Sequence, residues 1–220
     1  MGLNAGSSGS WYKVAYGKVR RATTEDDPMA KRRDVTDKDG NVTSVLWERV
    51  YKSVTGKLIG LTEHEHEKYG RSWGVHIQDG SEVFILKIGE TSRYGSDLLK
   101  KIPNMKVGVT YTINPYDFTP QGEDKARVGL SIVDETTGGK VQSYFHEFTG
   151  TGKDMVVTAI NGYPEAEPTM SKDWDKDDWK IYFLKATKAM RGVALKHVHN
   201  PEPIDAVPAG VDEEDSDLNF

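Results

Sequence analysis

Apolar residues recur at every second position through the middle of this chain, and turn dipeptides break the pattern into short runs. Trp73, Val75 and Ile77 alternate ahead of Asp79-Gly80, and Val83-Phe84-Ile85-Leu86 follow it. Val107, Val109, Tyr111 and Ile113 share one phase, with Gly108, Thr110 and Thr112 in the other. Ala126, Val128, Leu130 and Ile132 repeat the pattern, as do Val141, Ser143 and Phe145. Successive side chains of a strand point to opposite faces, so this spacing sets one face on a core and the other in water. Asp39-Gly40, Asp79-Gly80 and Gly138-Gly139 are the dipeptides that tight hairpin turns favour. From about residue 31 to about residue 148 the chain is therefore expected to be a series of short strands.

One short helix interrupts them. Ser96–Ile102 follows Gly95, has Ser96 as its expected N-cap and stops at Pro103. A helix after the third or fourth strand, with two or three strands to follow, matches a Greek-key barrel of the OB type. An immunoglobulin-like sandwich needs no such helix. The expected fold is mainly β: an OB-fold-like Greek-key barrel spanning residues 11–199, after a flexible Gly/Ser-rich segment, 1–10. An additional C-terminal helix is predicted from about Asp175 to Arg191, with Trp179, Tyr182, Phe183, Ala186 and Met190 on one stripe to pack across the barrel. Asp177 and Asp178 at its start and Lys188 and Arg191 at its end suit the helix dipole.

Charge is distributed unevenly. The formal net charge is −5, yet no Lys or Arg follows Lys196. Glu202, Asp205, Asp212, Glu213, Glu214, Asp215 and Asp217 are seven of the 34 acids, so residues 1–200 carry 27 acids against 29 Lys and Arg. Residues 200–220 also hold three prolines and few apolar groups, the composition of a disordered acidic tail. Cysteine is absent, which excludes disulfides, thiolate metal sites and cysteine nucleophiles. No apolar run approaches the roughly 18 residues of a membrane span. The first residues match neither a signal peptide nor a myristoylation site, so a cytoplasmic protein is expected.

The body's basic residues stand among aromatic ones. Single-stranded nucleic acid is held by cations that track its phosphates and by rings that stack on its bases. Candidates for that work are Trp11, Tyr12, Lys13, Tyr16, Lys18, Arg20 and Arg21 near the start, then Trp47, Arg49 and Tyr51 on one strand face. Tyr69, Arg71 and Trp73, Arg93 and Tyr94, and Tyr116 and Phe118 are further candidates near loops. Core packing competes with this role at every aromatic position, and Tyr111, Phe84 and Phe145 are assigned to the core. A second basic cluster, Lys31-Arg32-Arg33, lies between the first two groups.

The tail ends Asp212-Glu213-Glu214-Asp215-Ser216-Asp217-Leu218-Asn219-Phe220. Its acids can steer toward a basic patch while a ring and a carboxylate dock in a small pocket. With the basic OB-type body, this ending resembles the single-stranded DNA-binding proteins of bacteriophages, and in plan the bacterial ones. The resemblance implies sequence-independent coating of single-stranded DNA in phage replication or recombination, in the host cytoplasm. Asp212, Glu213, Glu214, Asp215, Asp217 and Phe220 would then recruit a polymerase, helicase or primase. Self-association into a homo-oligomer is compatible with it. The alternatives are a strand-annealing or RNA-binding OB protein, and a phage structural protein whose tail only solubilises it.

Patterns for other chemistry fail on inspection. Gly150-Thr151-Gly152-Lys153 lacks the first Gly of a phosphate loop, where Glu147 stands, and has Asp154 in place of the Ser or Thr. Asp37-Lys38-Asp39-Gly40-Asn41 breaks the register of a calcium loop. His64 and His66 could share a strand face, but spacing supplies no further zinc ligand. No nucleophile–base pattern is present, so no catalytic residue, cofactor or metal is expected.

Overall fold

The computed structural model of the chain describes residues 9–68, 70–150, 154–164 and 172–197. Strands β1 (Ser10–Ala15), β2 (Lys18–Thr23), β3 (Lys31–Thr36) and β4 (Val42–Tyr51) come first. Then follow β5 (Val54–His66), β6 (Gly70–Asp79), β7 (Glu82–Gly89), helix α1 (Arg93–Lys101), β8 (Thr110–Phe118) and β9 (Arg127–Asp134). A two-stranded ribbon, β10 (His146–Thr149) with β11 (Val156–Ala159), precedes helix α2 (Lys176–Ala194).

The nine-stranded sheet runs β3-β4-β2-β1-β7-β6-β5-β8-β9 and curls into a half-barrel. Within it, β5, β6 and β7 are joined by hairpins and β8 returns to lie beside β5, which is a Greek key. Seven strands, not the expected three or four, precede α1, but it lies between the third and fourth strands of the Greek key, so β5–β9 follow an OB-like order within the half-barrel. The first four strands are an extension of it. β1 pairs in parallel with β7 at the edge of the Greek key and carries β2, β4 and β3 outward.

Alternation decides what is buried. Trp73 pairs with Ile88, Val75 with Leu86 and Leu61 with Val75, all on the inner face. Tyr111, Ile113, Leu130 and Ile132 join them from β8 and β9, and Leu98 and Leu99 from α1. Each such aliphatic side chain contributes about 1.5–3 kcal/mol by leaving water.

Helix α1 begins three residues before the expected start. Ser92, not Ser96, is the N-cap, and its hydroxyl accepts from the Gly95 N–H at 3.0 Å. Gly95 serves close packing instead, because a Cβ there would lie 2.1 Å from the Gly89 carbonyl oxygen. The expected strand through Val141, Ser143 and Phe145 is also absent. Past the Gly138-Gly139 turn only an isolated Val133–Lys140 bridge forms, and the Tyr144 N–H donates to the Lys100 carbonyl instead.

Helix α2 follows its N-cap Asp175 through a capping box with Asp178. Ala186 and Met190 of the predicted stripe are buried, whereas Phe183 is mostly exposed. Arg191 reaches Glu63 at 2.6 Å and lies 3.8 Å from Glu90, which in turn accepts from the Trp73 indole N–H. No helix among the described residues is long and apolar enough to cross a membrane.

Candidate nucleic-acid interface

Register assembles a basic row on the face of the sheet turned away from the core. Gly74 of β6 pairs with Lys87 of β7, Lys87 with Lys13 of β1, and Lys13 with Arg20 of β2. Directly paired residues share a face. Strands lie about 4.8 Å apart, so the three cations line up across three adjacent strands. One row along, Trp11 pairs with Ile85 and Ile85 with His76. Trp11 is 40% exposed and meets the His64 ring edge-on at 5.5 Å.

A histidine pair lies beneath this surface. The Thr62 hydroxyl is 2.9 Å from Nε2 of both His64 and His76. Gly74 permits the crowding, since a Cβ there would lie 2.6 Å from that hydroxyl. Burial, and then the charge of His64, pushes His76 down to about 4. Burial and the Lys87 charge lower His64 as well. Nδ1 of His76 is buried without a hydrogen-bond partner.

The row leads to the β1–β2 turn. Tyr16, at its tip, is 61% exposed and has a positive φ of 51°, unusual for an aromatic residue. Guanidinium carbons of Arg20 and Arg33 lie 5.1 and 5.8 Å from its ring centroid. Both arginines bind Glu48, Arg20 at 2.7 Å and Arg33 through two contacts of 3.0 Å. Burial works to raise the Glu48 carboxyl, but the hydrogen bonds and charges of Arg33 and Arg20 hold it below its usual value. The group carries a net charge of +1.

The turn also touches the far end of β8. The Gly17 N–H donates to the Tyr94 hydroxyl at 2.7 Å, and a Cβ on Gly17 would meet the Asp117 backbone nitrogen at 2.7 Å. Tyr16 is thereby held next to the segment that carries Tyr116 and Phe118, whose rings are 6.0 Å apart and exposed. Arg93 donates to the Ala126 carbonyl and Arg127 pairs with Glu123, which fixes the β8–β9 loop.

The candidates thus separate. Trp11, Lys13, Tyr16, Lys18 and Arg20 share the outer face, with Tyr116 and Phe118 near its end. Tyr12, Arg21, Trp47, Arg49 and Tyr51 take the opposite face, because they occupy the other phase of the same strands. There Tyr12 is buried edge-on between Tyr51 and Phe84, and Arg49 is paired through Nε and Nη2 with the two carboxylate oxygens of Asp27. Three candidates are corrected outright, Tyr12 among them because its ring is closed in by Tyr51 and Phe84. Trp73 is fully buried in the core, and Tyr94 is buried with its hydroxyl bonded to Gly17, so neither ring can stack on a base. Arg71 pairs with Glu63 and Glu65. Tyr69, the phosphate-loop remnant Thr151–Lys153 and the tail, with Asp212, Glu213, Glu214, Asp215, Asp217 and Phe220, lie outside the described residues, as do 1–8 of the Gly/Ser segment.

Lys87, Arg33, Glu48, His64 and His76 were not among the binding candidates. Period two alone places Lys87 outward between Leu86 and Ile88. The others needed register.

Comparison of the chain with protein-family models, with curated proteins and with solved structures finds no match in any of the three.

Proposed function

We propose that this protein binds single-stranded DNA without sequence preference along the outer face of β7, β1 and β2. The observation that carries this reading is the cross-strand row Lys87–Lys13–Arg20, flanked by the exposed rings of Trp11 and Tyr16. Phosphates would follow the cations, and bases would stack on the rings, each stack worth about 1–3 kcal/mol. No base-edge reader is needed, since every base has a π-face. In OB folds the second and third strands and the loops after the first and fourth hold oligonucleotides. Here those strands are β6 and β7, and the β8–β9 loop is the one beside Tyr116 and Phe118. Recruitment of a replication protein by residues 212–220, and a phage origin, are proposed from the sequence resemblance.

Titration with poly-dT while following tryptophan emission tests the reading. Trp11 is partly exposed on the proposed face, so saturating DNA should quench emission, and Trp11→Phe should remove most of the change. An unchanged spectrum together with no shifted complex on a gel would overturn it. A matched poly-U titration separates DNA from RNA preference.

A further inference from the structure

Helix α2 carries a self-complementary stripe on the side farthest from the barrel. Ala186 and Met190 bury one side of the helix. About half a turn from Ala186 stand Ile181 and Leu184, 51% and 58% exposed. Asp177 and Lys188 continue that line at its two ends, and both are exposed. Asp177, Ile181, Leu184 and Lys188 fall four, three and four residues apart, the a/d spacing of a coiled-coil seam. Asp178 and Lys185 flank the seam on one side, seven residues apart.

We propose that a second copy of this chain packs on this stripe, with the two α2 helices antiparallel about a twofold axis between Ile181 and Leu184. In an antiparallel twofold pairing each seam residue meets one equally far from the midpoint, and each flank residue meets one on the same flank of the other helix. Ile181 then meets Leu184 of the other copy, and Asp177 meets Lys188. On the flank, Asp178 meets Lys185, while Lys180 on the opposite flank faces Thr187. Every acid on the seam or its flank finds a base, and each contact occurs twice. A parallel pairing would set Asp177 against Asp177 and Lys188 against Lys188. An acidic segment such as 201–220 would satisfy the lysines and repel the aspartates. The sequence of the stripe therefore selects an antiparallel copy of itself. One helix per copy makes a small interface, below the roughly 1,200 Å² of standard ones, so association is weak and concentration-dependent.

Sedimentation of the full chain from about 5 to about 500 µM tests this, spanning the weak regime of a small interface. Wild type should pass from monomer to dimer, and added salt should move the midpoint upward. Asp177→Lys and Lys188→Glu each turn two attractions into two repulsions, and each should raise the midpoint about tenfold. The double variant reverses both charges and should return to within about threefold of wild type. Melting temperatures of all three should stay close to wild type, because both side chains are exposed. A wild type that stays monomeric throughout, or a double variant as weak as the singles, overturns the proposal.

Discussion

Lys13 and Lys87 face each other directly across the parallel β1–β7 pair, on the side of the sheet away from the core. Like charges set opposite each other on neighbouring strands oppose folding by a few tenths of a kcal/mol or more. A phosphate between them would turn that repulsion into attraction. Lys87→Ala should therefore weaken DNA binding several-fold while leaving the melting temperature unchanged or slightly raised. The slope of log affinity against log salt should also become shallower by about 0.7, the value for one phosphate contact on a single strand. Loss of affinity with an unaltered salt slope would remove Lys87 from the phosphate path.

Tyr16 separates stacking from folding. Its positive φ costs stability that glycine would not. Tyr16→Gly should thus keep or raise the melting temperature, although Arg20 and Arg33 lose the ring beneath them. Removing one stacking ring should lower DNA affinity by about 5- to 100-fold. Fluorescence anisotropy with a labelled oligonucleotide reads this, and unchanged affinity would show that the ring does not meet a base.

Glu48 should matter through the two cations it holds. Glu48→Gln leaves Arg20 and Arg33 facing each other without the carboxylate between them. Breaking a buried ion pair from one side costs about 3–5 kcal/mol, so a clear drop in denaturant midpoint is expected. DNA should recover part of that loss, because a phosphate can replace the carboxylate. Stabilisation by saturating oligonucleotide should be larger for the variant than for wild type.

Acid should destabilise the fold through the histidine pair. His76 sits at about 4 when folded and near 6.5 when unfolded. Between those values the unfolded chain binds the extra proton, so stability is complete above about pH 6.5 and falls as pH drops toward 4. The loss is on the order of 1–3 kcal/mol, seen as a lower melting temperature at about pH 5 than at about pH 7.5. His76→Gln should flatten that dependence. DNA bound beside Lys87 would favour protonated His64, so affinity should rise over the same descent until unfolding intervenes.

Local pattern and long-range register account for different parts of this molecule. The inward phase of Trp73, Val75 and Ile77 is legible from spacing, and so is one short helix among the strands, but not the four-strand extension that places seven strands ahead of it. The phase that made Trp73 core also excludes it as a stacking ring, but its neighbour Arg71 suggested binding. Arg71 instead pairs at 2.9 Å with Glu65, the residue set directly opposite it by the β5–β6 register, and lies near Glu63 two positions along. Lys13 and Lys87 lie far apart in sequence, and no local signal announces that β1 will pair in parallel with β7. That pairing also sorts Trp11 and Tyr12, adjacent in the chain, onto opposite faces. The start of α1 is not legible locally, because Gly95 reads as a boundary in sequence, whereas it is a contact with Gly89 that no side chain could make.

The acidic segment should compete with DNA for the basic row. Residues 201–220 contain seven acids and no base, so they resemble a short run of phosphates on the same chain. Tethering gives such a competitor an effective concentration up to the millimolar range. Deleting 201–220 should therefore raise DNA affinity, and most at low salt, where screening over about 10 Å is weakest. Adding a synthetic peptide of 201–220 in excess should return the truncated protein toward wild-type affinity. A peptide with its acids replaced by Asn and Gln should not. Equal DNA affinity of the full and truncated chains at every salt concentration would show that the segment does not reach the row, leaving solubility or partner binding as its role.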